Sequence, residues 1–138
     1  DELVVFCSPS HPLASKGSLS DEDLRNATWI MREPGSGTRQ SFERGMHGLL
    51  PDLNVLLELE HTEAIKRAVE TDLGIGCLSE LAVQREVASG DFVALRVKGL
   101  DLRRRLGRIA RRTCYESALQ RACIEHLNQS PKSRSKRK

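Results

Sequence analysis

The sequence predicts an α/β domain whose mostly parallel, mixed sheet is flanked by helices, and three observations carry this. Short apolar runs alternate with amphipathic stretches from Leu3 to Leu127. The stretch between Val55 and Leu78 reads strand, helix, strand, a crossover that implies parallel strands. Two hydroxyl-bearing turns, at residues 35–39 and 61–63, stand between a strand and the next helix, where such sheets take ligands.

Residues 3–7, LVVFC, are β-branched and aromatic without polar alternation, the pattern of a central strand buried on both faces. SPSHPLASK, residues 8–16, breaks it; Pro12 holds His11 extended, and His11 reads as a turn residue. Ser18 or Ser20 caps a short acidic helix over residues 21–25, with Leu19 and Leu24 as its apolar contacts. Trp29, Ile30 and Met31 form a buried strand ending at Arg32 and Glu33, because a run this short, closed by Pro34 and Gly35, is too brief for a helix.

The chain then turns sharply. Gly35 and Gly37 let the backbone approach a bound group closely, and Ser36 or Thr38 caps the helix that carries Arg39, Gln40, Phe42 and Glu43. Free N–H groups, two hydroxyls and the Arg39 guanidinium make this helix start an anion seat. It is not a Walker loop: the GxxxxGK[ST] spacing fails and Arg39 stands where lysine would be needed.

The helix fades through Gly45, Gly48 and Pro51. NVLLELE, residues 54–60, alternates Val55, Leu57 and Leu59 with Leu56, Glu58 and Glu60, a strand with one face better buried than the other. His61 and Thr62 end it. Thr62 is placed as N-cap with Glu63 in the first turn, and Ala64, Ile65, Ala68 and Val69 form an apolar stripe at helical spacing. After a turn at Asp72, LGIGCLS, residues 73–79, is a glycine-containing strand; a helix over 80–88 then stops at Gly90, its C′ residue. Residues 92–97 form another strand.

Six arginines fall between Arg103 and Arg112, interleaved with Leu102, Leu106, Ile109 and Ala110. The alternation fits a strand with a solvated face better than a nucleic-acid patch. The last element, over residues 116–127, is an amphipathic helix with Ala118, Leu119, Ala122, Cys123 and Leu127 on one side.

Composition narrows the function classes. The 138 residues suffice for one domain or part of a larger one. No apolar stretch approaches the ~20 residues of a membrane span, and the acidic start DELVVF does not read as a secretory signal. Cys7, Cys77, Cys114 and Cys123 show no CxxC or CxxH spacing, so neither a zinc site nor a disulfide framework is expected, in keeping with a reducing cytoplasm. The net charge of +3 includes five tail charges, Lys132, Arg134, Lys136, Arg137 and Lys138; without them the body is at −2 and is no basic nucleic-acid surface. The tail, residues 130–138, is expected to be disordered.

Four of these stretches, in order, resemble the effector-binding domain of LysR-type transcriptional regulators. They are DELVVFCSPSHPLA, WIMREPGSGTR, EAIKRAVETDLGIGCLSELAV, and the run from Gly90 through the LxR strand to the final helix. The resemblance implies a periplasmic-binding-protein-like, type II fold: two α/β subdomains joined by crossing strands, with a small effector in the cleft. It places residues 9–97 in the second subdomain, 1–8 and 98–129 in the crossing strands and the return to a first subdomain largely missing from the chain, and 130–138 in the basic tail. Residue by residue, it assigns the effector site to Ser8 at the hinge, to Gly35, Ser36, Gly37, Thr38 and Arg39, and to His61, Thr62 and Glu63.

The expected function is therefore ligand sensing without catalysis, cofactor or metal. The effector is a small, anionic metabolite; the other partners are DNA, through an N-terminal helix-turn-helix absent from this chain, and further copies in a homodimer or homotetramer. The setting is cytoplasmic, with no membrane partner. A solute-binding protein of a transporter would share the fold. A hydrolase-like set of Ser36, His61 and Glu63 is the enzyme alternative, without a GxSxG elbow to support it.

Overall fold

The computed structural model describes residues 1–46, 52–107, 109 and 117–129. Its elements are β1 (Leu3–Cys7), a 3-10 turn (Pro12–Ser15), α1 (Asp21–Asn26), β2 (Thr28–Arg32), α2 (Gly37–Gly45) and β3 (Asn54–Leu59). They continue with α3 (Thr62–Glu70), β4 (Ile75–Ser79), α4 (Glu80–Ser89), β5 (Val93–Leu95) and α5 (Ala118–Gln129). The chain divides into two units, Asp1–Leu106 and Gly107–Lys138.

The first unit is built on a five-stranded sheet in the order β3-β2-β4-β1-β5. β2 pairs in parallel with both β3 and β4, while β1 pairs antiparallel with β4 and β5. Four strands thus run one way, with β1 reversed among them. The crossover expected between residues 55 and 78 exists, but it carries the chain over β2, so β3 and β4 are co-directional without being neighbours.

Strand periodicity sorts the core into two layers. Leu3, Val5, Cys7, Trp29, Met31, Ile75 and Cys77 face Leu24 of α1 and Phe42 of α2; Met46 joins this layer. Phe6, Ile30 and Leu78 face Ile65 and Val69 of α3 and Val83 of α4. Trp29 packs its ring 5.0 Å from that of Phe42, and its indole N–H donates to the Leu24 carbonyl at 2.8 Å, so this large side chain is buried with its polar atom satisfied. On the other layer the Phe6 and Phe92 rings lie 5.0 Å apart.

Local capping follows the sequence closely. The Ser20 hydroxyl accepts from the Asp23 N–H and the Asp23 carboxylate accepts from the Ser20 N–H, a complete capping box on α1. Ser36 caps α2, and Gly90, at φ 86°, closes α4 in the left-handed conformation that a Cβ would strain. His11 accepts from the Leu13 N–H and caps the 3-10 turn.

Three expectations change. The N-cap of α3 is His61, which makes no side-chain capping bond, and Thr62 is the first helical residue. Residues 100–107 form no strand; their ladder contact is a single bridge between Glu2 and Arg103, although Leu102 is buried in the core. A strand needs a neighbour along its length, and among the described residues this segment finds one only at Arg103. The strand predicted at 92–97 shortens to β5, with Val97 reaching Leu19 by one bridge.

In the second unit, α5 leaves Leu119 and Leu127 exposed. Gly48, Pro51, Arg108, Cys114, Glu116 and the tail 130–138 lie outside the described residues. No helix among the described residues is long and apolar enough to cross a membrane.

Candidate functional site

Helices α2, α3 and α4 follow β2, β3 and β4, and because these strands are parallel the three helix starts share one end of the sheet. Each start presents N–H groups without intrahelical partners and the positive end of a dipole. The reversal of β1 brings its beginning to the same end: Leu3 lies opposite Ser79 in the ladder. Residues 102–104 run beside it, with Leu3 N–H donating to the Leu102 carbonyl at 3.0 Å and Arg104 N–H to the Asp1 carbonyl at 2.8 Å.

Gly35, at φ 92°, makes the turn that an L side chain would strain, and a Cβ on either Gly35 or Gly37 would meet nothing within 4 Å, so both backbones face open space. The Ser36 hydroxyl accepts from the Arg39 N–H at 3.0 Å. Thr38 is buried, and its oxygen accepts from Nη1 of Arg104 at 3.1 Å. Arg39 is engaged within the protein. Its Nε donates to Glu43 at 2.7 Å and its Nη1 to Glu58 at 2.9 Å and to the Arg32 carbonyl at 3.2 Å, so the guanidinium braces α2 against β3.

At the second turn, His61 is exposed and Thr62 half-buried, and the α3 start has no side-chain cap to compete with a ligand. Glu63 bonds Lys66 at 2.9 Å, and Lys66 also pairs with Glu86, so Glu63 belongs to a brace between α3 and α4. Next to His61, Arg32 grips Glu33 through two bonds of 2.7 and 2.8 Å, which holds the Glu33 carboxyl below the usual range, with a smaller contribution from His61.

Ser8 is not brought together with these turns. It follows β1, the reversed strand, and therefore lies at the opposite end of the sheet, buried, donating to Asp72 at 2.7 Å and sharing a 3.0 Å bond with Ser10. The hydrolase-like set is not assembled either: Ser36 binds Arg39, Glu63 binds Lys66, and neither is hydrogen-bonded to His61.

The structure adds three residues that spacing did not reveal. Arg104 reaches Thr38 and, through Nε, the Asp1 carboxylate; the other Asp1 oxygen accepts from the Ser79 hydroxyl at 2.6 Å. Arg104 and Thr38 are 66 residues apart, and in the sequence Arg104 is one of several arginines with nothing local to single it out. A separate groove of about 550 Å³ runs beside β5, lined by Glu2, Glu80, Arg96, Leu100 and Leu102 among others, and none of the expected site residues lines it.

Residues 1–132 match the LysR substrate binding domain family. The chain belongs to that family. A curated relative, the uncharacterized HTH-type transcriptional regulator YeiE of Escherichia coli strain K12, is 39% identical over 128 residues, covering 93% of this chain and 43% of its own length. The chain thus spans less than half of the length of that relative. Among solved structures, the Synechocystis PCC6803 CcmR regulatory domain in complex with 2-PG superposes with a TM-score of 0.76 at 30% identity, covering 91% of this chain and 61% of that one. The QuiR effector binding domain in complex with shikimate has the same fold, with a TM-score of 0.66 at 21% identity, covering 90% of this chain and 58% of that one. The mixed sheet with flanking helices is the type II, periplasmic-binding-protein-like fold of LysR effector-binding domains. The relatives are transcriptional regulators, which speaks against the transporter reading and suggests a non-catalytic domain.

Proposed function

We propose that this LysR substrate-binding domain senses a small anionic effector held where α2 and α3 begin, contacted by Gly35, Ser36, Gly37, Thr38, His61 and Thr62. Binding shifts this subdomain relative to the rest of the regulator and so changes how a homodimer or homotetramer in the cytoplasm presents its DNA-binding helix-turn-helix. The observation that carries this reading is the placement of two hydroxyl-bearing helix starts at the same end of adjacent parallel strands. The CcmR domain, solved with 2-PG, supports the choice of an anion. Arg39 and Glu63 act as braces, and Ser8 as a structural residue.

The test is calorimetric titration of the full-length regulator with 2-PG, comparing wild type with a Thr38→Ala, Thr62→Ala double variant. Each lost neutral donor costs about 1 kcal/mol, so affinity falls roughly tenfold or more. Unchanged affinity in the double variant would discard this seat.

A further inference from the structure

We infer that Arg104 is the charged contact for the anionic group of the effector, acting as a pair with Thr38; this rests on the function proposed above. A guanidinium carries five N–H donors in a planar fork. In Arg104, Nε is engaged by the Asp1 carboxylate and one Nη1 hydrogen by Thr38. The remaining Nη1 hydrogen and both on Nη2 meet no acceptor among the described residues, although only 17% of the side chain is exposed. Asp1 cannot turn to serve them, since its second oxygen is bound by Ser79 at 2.6 Å.

Thr38 completes the pair. Its oxygen accepts from Arg104 at 3.1 Å, which leaves its own O–H as a donor, polarised by the adjacent positive charge. A hydroxyl and a guanidinium joined in this way offer one carboxylate or phosphate group a neutral and a charged donor together, at the first turn of α2. The neighbouring arginine does not duplicate this role: Arg103 is bound to Asp101 by two side-chain bonds of 2.8 and 2.7 Å and is exposed. The main chain of Arg104 is bonded to that of Asp1, so an anion drawing on the guanidinium also pulls on the paired segments 1–3 and 102–104.

The experiment titrates full-length regulator with 2-PG and, separately, inorganic phosphate, using wild type, Arg104→Gln, Arg104→Lys, Arg103→Gln and the Thr38→Ala, Thr62→Ala double variant. Arg104→Gln is expected to weaken 2-PG binding about tenfold or more and to flatten its salt dependence. Arg104→Lys, which keeps the charge and loses the fork, falls between that variant and wild type, and Arg103→Gln matches wild type. Should Arg104→Gln fail to fold, Arg104→Lys carries the test, and unchanged affinity there overturns the inference. The inference also fails if Arg104→Gln binds 2-PG as wild type does, or if wild type binds neither 2-PG nor phosphate. Weak binding in the threonine double variant with full binding in Arg104→Gln removes Arg104 alone. The reverse outcome removes the two-helix seat and overturns the pairing of Arg104 with Thr38.

Discussion

The Ser8 hydroxyl donates to Asp72 at 2.7 Å, which ties the end of β1 to the left-handed turn, at φ 62°, that leads into β4. Ser8 is buried while Asp72 is exposed, so water takes over part of the lost bond at the carboxylate. Ser8→Ala is expected to lower stability in urea by about 1 kcal/mol and to leave 2-PG affinity of the full-length protein unchanged. A loss of affinity at unchanged stability would return Ser8 to the binding site.

Gly74 has no room for a side chain. A Cβ there would stand 2.4 Å from the Thr28 carbonyl oxygen, and backbone cannot move aside as a flexible side chain can. Gly74→Ala should cost about 3 kcal/mol, the upper range for overpacking, whereas Gly17→Ala, which meets nothing within 4 Å, should unfold at the wild-type temperature. Thermal melts of the two variants side by side check this.

Asp23 gives α1 an acid-sensitive cap. A hydrogen bond from Lys16, then those from the Ser20 backbone and hydroxyl, lower its carboxyl from 3.8 to about 2. A depressed carboxyl contributes stability that is present above the unfolded value and lost as pH falls through the folded one. The contribution of Asp23 is therefore complete at neutral pH and disappears between about pH 4 and pH 2. Asp23→Asn should flatten that part of the stability profile in denaturant titrations at stepped pH, and an unchanged slope would remove the cap from the account.

The described cysteines are expected to differ in reactivity because they differ in burial. Burial pushes the Cys77 thiol up to about 12 and the Cys7 thiol to about 11, the latter with help from Asp72. Cys123 is exposed on α5. Brief iodoacetamide treatment of the native protein at pH 8, followed by peptide mapping, should label Cys123 and spare Cys7 and Cys77 until denaturant is added. Early labelling of Cys77 would contradict its place in the core.

Much of the fold could be read from the sequence because its signals are local. Ser20 with Asp23, Ser36 with Arg39, and Gly90 after α4 act within a few residues of themselves. The direction of β1 is a different matter. Nothing in LVVFC says whether its neighbours run with it or against it, and so the position of Ser8 relative to the turns at residues 35–39 and 61–63 was not legible. Thr62 against His61 is a slip of one residue, the ordinary scale of helix-boundary error when two polar residues adjoin. Glu43, four residues after Arg39 on α2, was a legible partner, but the second one, Glu58 on β3, was not, and Arg104 looked idle because Thr38 and Asp1 meet it through the chain's path.

The placement of β1 between β4 and β5 also bears on how the chain is made. LVVFC leaves the ribosome well before its pairing edges, which are supplied by Ile75–Ser79 and Val93–Leu95. At synthesis rates of about 5–20 residues per second, β1 waits several seconds as an unpaired apolar strand. Over that interval the sheet can assemble β2 with β3, whose pairing needs only a short stretch of chain, while its centre stays open. Synthesis halted before residue 75 would leave this strand with no partner in the sheet, open to chaperone capture or aggregation.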